Sequence, residues 1–279
     1  MNSAFIIPWC VMWLTVSAVG DAAESKPSPN SATAPPPVAL ITGADRGIGL
    51  ALTEELASRG WRVLATCRDP VHARALQDFA TGHALVAIES LDVTDNSAIA
   101  TLSAKYRALP IDALINNAGT SVATLQHAGD LDATEFQKVM LVNAYAPVHV
   151  SAAFLEQVAA SRQRKIIAIS SGAGSIAQAG AGFRAYTYSM SKAGLNMGMK
   201  LLQDEVRDRG IIVGIVSPGP VDTDMQRTLR AAAEQIGNPI TTAELTPTES
   251  AKTLASYIET LGPDKGGHFY SYNGREIPW

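Results

Sequence analysis

The sequence predicts an α/β fold, in which a mostly parallel, doubly wound sheet of about seven strands carries helices on both faces. Two observations lead to this prediction. From Val38 onward, short apolar runs alternate with stretches of helical periodicity. The apolar runs are nearly continuous, which is typical of strands that are buried on both faces of a parallel sheet. We therefore expect a Rossmann-type architecture with crossover connections.

Each element follows from a local pattern. The first strand is predicted in PVALITG, and the first helix in IGLALTEELASRG, where Ile48, Leu52 and Leu56 recur at four-residue spacing. Further strands are predicted in WRVLATC, HALVAIESLDV, IDALINNAG, RKIIAISS, IIVGIVSPG and GGHFYSYNG. Helices are predicted in VHARALQDFA, NSAIATLSAKYRAL, TEFQKVMLVNAYAPVHVSAAFLEQVAAS, AYTYSMSKAGLNMGMKLLQDEVRDRG and ESAKTLASYIETL. Residues around 220–247 are predicted to form a substrate loop, in which the polar segment 225–246 could act as a mobile lid.

The N-terminal residues form a separate region. Residues 1–23 contain the apolar run AFIIPWCVMWLTVSAV, followed by small residues. This pattern predicts a secretory signal peptide or a membrane anchor, which would tether the protein to a membrane. A wrongly assigned start codon is a third interpretation, because no Lys or Arg precedes the run. Residues 24–37 form a Pro-rich linker, and residues 38–279 are predicted to form one large globular domain.

The composition excludes several classes of function. The formal net charge is −4, from 22 Lys+Arg and 26 Asp+Glu, and there is no long basic run. We therefore expect no nucleic-acid partner. Of the two cysteines, Cys10 lies in the N-terminal apolar run and Cys67 in the main domain. Neither a disulfide framework nor a metal site is expected.

A glycine-bearing loop follows the first predicted strand. Residues 41–52, ITGADRGIGLAL, place Gly43, Gly47 and Gly49 directly before and within the first helical turn. Small residues allow the backbone to approach a pyrophosphate, which the N–H groups of a helix N-terminus then bind. By itself the loop is equally consistent with a plain turn. The strand before it and the helix after it favour dinucleotide binding.

This loop and several later motifs carry a resemblance to a known family. TGADRGIG resembles the phosphate-binding loop of the short-chain dehydrogenases/reductases. The other motifs of that family follow in the same order. Residues 116–119 match its N-N-A-G motif, Asn143 its helix asparagine and Ser171 its active-site serine. Residues 188–192 match its Y-x-x-x-K motif and residues 218–219 its P-G motif. TCRDP, GSIAQ and YNGREIPW are similar to the subgroup of sniffer-type and C-factor-type carbonyl reductases.

The resemblance implies four catalytic residues: Asn143, Ser171, Tyr188 and Lys192. The segment between Ser171 and Tyr188 is longer than is usual in the family, which leaves Ser170 and Ser175 as alternatives to Ser171.

Tyr188 and Lys192 lie four positions apart on a predicted helix, and hence on one face. A free phenol has a pKa near ~10. We expect the Lys192 ammonium to lower the pKa of Tyr188, which would act as general acid in carbonyl reduction and as general base in reverse. Ser171 would stabilise the substrate oxygen. The resemblance further implies that Asn143 holds a water that links Lys192 to solvent, and that Lys192 contacts the nicotinamide ribose.

The expected cofactor is NADP(H) rather than NAD(H). The position of the acidic residue that selects NAD holds Cys67, whereas Arg68 and Arg46 could both contact a 2′-phosphate. The alternative is that Asp69 binds the ribose and Arg68 is a surface residue. The resemblance implies cofactor contacts by Gly43, Asp45, Arg46, Gly47, Ile48, Gly49, Arg68, Asp92, Val93, Asn117, Tyr188, Lys192, Pro218, Val221 and Thr223. Asp92 could instead be an N-cap or turn residue.

The sequence thus predicts an NADP(H)-dependent oxidoreductase that reduces an aldehyde or ketone to an alcohol, or catalyses the reverse reaction. One alternative is a non-catalytic NADP(H)-binding regulator or scaffold on the same fold. A sugar-nucleotide epimerase is a third interpretation, for which the C-terminal third leaves little room. The resemblance also implies a homo-oligomer, a dimer or tetramer, formed through the helices that bear Asn143 and Tyr188.

Overall fold

The structure, a computed structural model, describes Met1 and residues 34–122, 126–180, 185–235 and 239–279. The predicted signal peptide or anchor and most of the predicted linker lie outside the described residues. Residues Pro36–Trp279 form one compact unit. In the part of the chain that is described, no helix combines the length and the apolar character needed to cross a membrane.

The described residues include seven strands, which form one sheet in the order β3-β2-β1-β4-β5-β6-β7 with every neighbouring pair parallel. The predicted doubly wound Rossmann-type fold is therefore confirmed. The strands are β1 (Val38–Thr42), β2 (Arg62–Cys67), β3 (Val86–Ser90), β4 (Ala113–Asn116), β5 (Lys165–Ile169), β6 (Ile212–Ser217) and β7 (Phe269–Ser271). The helices are α1 (Gly47–Ser58), α2 (Arg74–Thr81), α3 (Asn96–Lys105), α4 (Ala133–Met140), α5 (Ala146–Ala153), α6 (Leu155–Ala159), α7 (Tyr186–Val206), α8 (Asp224–Gln235) and α9 (Pro247–Thr260).

Two hydrophobic cores lie on opposite faces of the sheet. Successive side chains of a strand point to opposite faces, so Leu40 of β1 belongs to one core and Ile41 to the other. The first core contains residues of α3, α5 and α7, and the second contains residues of α1 and α9. Both faces of the sheet are covered, which explains the continuous apolar runs in the sequence.

Local sequence signals set several helix ends. Asp95 caps α3, because its side chain accepts hydrogen bonds from the N–H groups of Ser97 and Ala98. Thr246 and Glu249 form a reciprocal capping box at the start of α9. The helix that continues from α7 ends at Gly210, whose φ of 70° lies in the left-handed region that glycine adopts readily.

Two predicted segments differ in the structure. The long helix predicted before β5 contains a π-helical segment at Leu141–Tyr145 and an interruption at Phe154 between α5 and α6. The segment 220–247, predicted as a loop, contains helix α8. Leu229, Ala232 and Ala233 are the buried residues of α8. Their three- to four-residue spacing forms a short apolar stripe, but the polar composition of the segment obscures it.

Candidate active site

The carboxyl ends of the parallel strands border a cavity of about 730 Å³. Such an edge is where open α/β sheets bind ligands. Ser171, Asn143 and Val221 are not among its lining residues, and Val221 is buried and paired with Leu245. The predicted site residues that do line the cavity are Gly43, Asp45, Arg46, Gly47, Ile48, Gly49, Arg68, Asp92, Val93, Asn117, Tyr188, Lys192, Pro218 and Thr223.

The glycine loop needs glycine for two different reasons. Gly43 and Gly47 have φ values of 66° and 55°, in the left-handed region. A Cβ atom on Gly49 would lie 2.1 Å from the carbonyl oxygen of Gly43, so no side chain fits there. No side chain caps α1, and no acidic residue lies in its first turn. The N–H groups at the start of α1 are therefore available to an anionic ligand in the cavity.

Hydrogen bonds made by Thr42 and Asn117 attach this loop to the end of β4. The Nδ2 atom of Asn117 donates to the carbonyl oxygens of Thr42 and Gly43, both at 2.9 Å. The hydroxyl oxygen of Thr42 accepts from the N–H groups of Asn117 and Ala118, both at 3.0 Å. The side-chain amide of Asn117 thus holds the protein's own loop. Sequence reasoning placed Thr42 at this edge of the sheet but gave it no role, although its place between a strand and the glycine loop was a usable signal.

The wall of the cavity includes two arginines. Arg46 and Arg68 both line it and are exposed, and neither side chain has an ion pair within the described residues. Asp69 does not line the cavity. Its Oδ2 atom lies 2.6 Å from Nδ1 of His72, and this hydrogen bond lowers the pKa of Asp69. The arginines are therefore available to a ligand, whereas the carboxylate is already engaged.

Asp92 and Val93 line the same cavity after β3. The Oδ1 atom of Asp92 accepts from the N–H group of Thr94 at 2.9 Å and from its hydroxyl at 2.7 Å. Asp92 is therefore a turn residue. The N-cap alternative for Asp92 is wrong, because the side chain that caps α3 belongs to Asp95.

Helix α7 places Tyr188 and Lys192 on one buried face. Tyr188 is 9% exposed and Lys192 5% exposed, and the Lys192 Nζ atom lies 5.8 Å from the centre of the Tyr188 ring. A hydrogen bond joins the side chains of Tyr188 and Ser171. Ser170 instead donates to Asn196 Oδ1 at 2.6 Å, and Ser175 to the carbonyl oxygen of Pro278 at 2.6 Å. Of the three candidate serines, Ser171 is the one hydrogen-bonded to the phenol.

The prediction that the Lys192 ammonium lowers the pKa of Tyr188 is wrong when only the groups of the chain itself are considered. Burial raises the pKa of Tyr188, and the hydrogen bond with Ser171 opposes this rise. The ammonium of Lys192 donates to the carbonyl oxygen of Ile169 at 2.9 Å, and burial lowers the pKa of Lys192 to about 8. The sequence spacing predicted the proximity of the two groups, but burial of each group decides the direction of its shift.

Asn143 lies in the π-helical segment and is fully buried. Its Nδ2 atom donates to the carbonyl oxygen of Thr120 at 2.8 Å and to the hydroxyl of Ser191 at 3.0 Å. Its Oδ1 atom accepts from the N–H group of Thr120 at 2.9 Å. Both amide hydrogens are used, so the side chain ties the segment after β4 to α7 and has no free donor for the predicted water link.

Sequence reasoning missed part of the cavity wall. Lys138, Leu141 and Val142 line the cavity from α4 and the π-helical segment. They occupy positions i, i+3 and i+4, which lie on one face of a helix, so their spacing was a detectable signal. Met225 and Thr228 belong to the predicted substrate loop 220–247, whereas no sequence signal distinguished Thr94, Thr120, Ser121 and Val122.

Replacing Lys192 with Met is expected to stabilise the fold at pH 7. The pKa of Lys192 falls from 10.5 to about 8 on folding. The unfolded chain therefore binds more protons between these values, and the free energy of unfolding rises with pH across this window. Below pH 8 the full cost of burying the ammonium remains, at most roughly 3 kcal/mol. The advantage of Lys192→Met should shrink from pH 7 to pH 10 in urea titrations. The exposed Lys252→Met is the control, and equal effects of the two variants would contradict the burial cost.

A family model described as short chain dehydrogenase matches residues 37–234. The chain belongs to this family. An uncharacterized oxidoreductase of Schizosaccharomyces pombe is 33% identical over 255 residues, which cover 86% of this chain and 97% of the relative. The glycine loop, residues 116–119 and the Tyr188–Lys192 pair thus carry the motifs of a short-chain dehydrogenase on one edge of one sheet.

Two solved structures extend the comparison. The NADPH-bound carbonyl reductase from chicken fatty liver is 30% identical, has a TM-score of 0.78, and is matched over 88% of this chain and 99% of its own. The carbonyl reductase Sniffer of Drosophila melanogaster is 26% identical, has a TM-score of 0.76, and is matched over 88% of this chain and 100% of its own. These findings confirm the resemblance to sniffer-type proteins.

Proposed function

We propose that this short-chain dehydrogenase is an NADP(H)-dependent carbonyl reductase, which reduces an aldehyde or ketone to an alcohol or catalyses the reverse reaction. One observation carries the proposal. The Tyr188 phenol, hydrogen-bonded to Ser171, borders the same cavity as the glycine loop and the N-terminus of α1. A proton donor and an anion-binding helix end therefore share one site.

The residues present fit a nicotinamide dinucleotide. Gly49 has no Cβ atom, which allows its close approach to Gly43 and leaves no side-chain bulk where a pyrophosphate would bind. The uncapped N-terminus of α1 offers N–H donors. Arg46 and Arg68 would hold the 2′-phosphate that distinguishes NADP from NAD. When bound, the nicotinamide supplies or accepts a hydride.

The chain's own residues account for the proton that carbonyl reduction requires. Burial raises the pKa of Tyr188, so its phenol is protonated at neutral pH and can donate to a carbonyl oxygen. Ser171, which acts on the phenol although it does not line the cavity, would stabilise the charge that develops on that oxygen. Lys192, with a pKa of about 8 and its Nζ atom 5.8 Å from the centre of the Tyr188 ring, would take part in returning the proton to the phenol. Alcohol oxidation needs the phenolate, so the rate of this reaction should increase with pH.

A substrate panel tests the proposal. Purified protein is mixed with small aldehydes and ketones, and the loss of NADPH absorbance is followed, with NADH as the comparison. We expect turnover of at least one carbonyl compound, faster with NADPH. Tight NADPH binding without turnover of any carbonyl would contradict the proposal and favour the non-catalytic NADP(H)-binding regulator.

We further propose that the protein forms a homodimer through the outer faces of α7 and the π-helical segment. Met190, Met197 and Leu201 are exposed on one face of α7 at 46%, 62% and 61%. Tyr145 of the π-helical segment is also exposed. Large apolar side chains concentrated on neighbouring helices are typical of protein interfaces.

The double variant Met197→Glu/Leu201→Glu is expected to be monomeric, because two carboxylates would be buried unpaired in the interface. Light scattering after size exclusion measures the mass, with Ala100→Glu on the exposed side of α3 as control. An unchanged mass for the double variant, or a monomeric wild type, would contradict this interface.

A further inference from the structure

Among the described residues, which do not include 181–184, no side chain at the N-terminal end of α7 caps its first turn, which carries Tyr188. The N-cap residue is Ala185, whose methyl side chain cannot accept a hydrogen bond, and no acidic residue lies in the first turn. The first N–H groups of any α-helix lack intrahelical partners. A helix whose first turn holds a reacting group therefore needs an acceptor from elsewhere.

Gln126 supplies that acceptor from a distant part of the chain. Its Oε1 atom accepts a hydrogen bond from the N–H group of Thr187 at 3.0 Å, across 61 positions of sequence. Thr187 is the second residue of α7, one of the positions to which an N-cap side chain normally bonds. Gln126 is 3% exposed and Thr187 is fully buried, so water does not readily replace this bond. The hydroxyl of Thr187 is also buried and has no partner within the described residues.

We propose that Gln126 is a positioning residue that caps α7 in trans and holds the Tyr188 hydroxyl against Ser171. Tyr188 directly follows Thr187 in the chain. Its phenol must keep its position relative to Ser171, which lies two residues after the end of β5. The first intrahelical hydrogen bond of the turn, from Ser189 N–H to the Ala185 carbonyl oxygen, is 2.8 Å long. Without the acceptor of Gln126 this turn loses its external anchor, and the phenol moves relative to the substrate oxygen.

This inference rests on the proposed function, and its main test separates kcat from cofactor binding. Gln126→Leu retains the volume and removes the acceptor, and should lower kcat ~10- to 100-fold, the effect typical of a misplaced reacting group. The Kd of NADPH should stay within about twofold, since the glycine loop has its own anchors. Gln126→Glu retains an acceptor oxygen and adds a charge that a helix N-terminus favours, so it should recover most of kcat.

Gln203→Leu is the matched control at the other end of α7. Gln203 is 7% exposed, and its Oε1 atom accepts from the N–H group of Val213 at 2.6 Å. This variant should lower the thermal stability at least as much as Gln126→Leu while leaving kcat within about twofold. If both variants lose kcat in proportion to their loss of stability, the positioning role is wrong. Gln126→Asn, whose amide is one methylene shorter, should lose kcat like Gln126→Leu and replaces it if the Leu variant does not fold.

A spectroscopic readout keeps this inference separate from the proposed reaction. The NMR resonances of ¹³C-tyrosine-labelled protein identify Tyr188 by the signal that is lost in Tyr188→Phe. Gln126→Leu should shift this signal, and Gln203→Leu should not. A shift without turnover of any carbonyl by the wild type would overturn the proposed function alone. An unshifted signal in Gln126→Leu would overturn the role of Gln126.

Discussion

Tyr188→Phe is expected to abolish carbonyl reduction while NADPH binding is retained. The substitution removes one hydroxyl from a side chain that is 9% exposed and leaves the ring packing intact. In the proposed reaction the phenol is the proton donor, and it borders the cavity next to Ser171. Removing a general acid typically costs ~10²- to 10⁴-fold in rate, or about 3 to 5 kcal/mol of transition-state stabilisation. The measurement is kcat by NADPH absorbance, together with the Kd of NADPH by fluorescence.

Tyr186→Phe is the matched control for this prediction. Tyr186 lies in the same turn of α7, is 42% exposed and does not line the cavity. Its hydroxyl has no assigned role in proton transfer, so kcat should stay within about twofold of the wild type. If Tyr188→Phe retains more than about a tenth of the wild-type kcat, the proton has another donor and the role of Tyr188 is wrong.

The Arg46→Ala/Arg68→Ala variant is expected to lose its preference for NADPH over NADH. Both arginines line the cavity without an ion pair to a described residue, so no carboxylate among the described residues competes with a phosphate for them. A hydrogen bond to a charged group contributes about 1.5 to 3 kcal/mol, so each arginine should account for roughly 10- to 100-fold in affinity. The KM of NADPH should rise by at least this factor, whereas the KM of NADH should change little.

Added salt and two single variants test whether Arg46 and Arg68 account for the preference. Added salt should weaken NADPH binding more in the wild type than in the double variant, because screening acts on exposed charges. Arg74→Ala removes an exposed arginine of α2 that does not line the cavity, and both KM values should stay unchanged. Asp69→Asn should also leave both unchanged, since Asp69 is bonded to His72. A selective rise of the NADH KM in Asp69→Asn would favour the alternative in which Asp69 binds the ribose.

Local sequence patterns determined the order of the strands and of every helix except α8, and the edge at which the site forms. The apolar runs, the four-residue spacing in α1 and the glycines before it act over a few residues, so they can be read without a fold. The Tyr188–Lys192 proximity follows from one helical turn. The Gly43–Gly49 loop could likewise be predicted, because its glycines are required by backbone geometry within the loop itself.

Contacts between distant residues decided what the sequence left open or predicted wrongly. The choice of Ser171 over Ser170 and Ser175 depends on partners contributed by α7 and the C-terminal residues. The raised pKa of Tyr188 follows from burial, which no spacing measures. Gln126 meets Thr187 across 61 positions of the chain. Periodicity thus determined the elements of this protein, whereas tertiary packing decided the proton chemistry of its site, because burial and hydrogen bonds across the fold act through space rather than along the sequence.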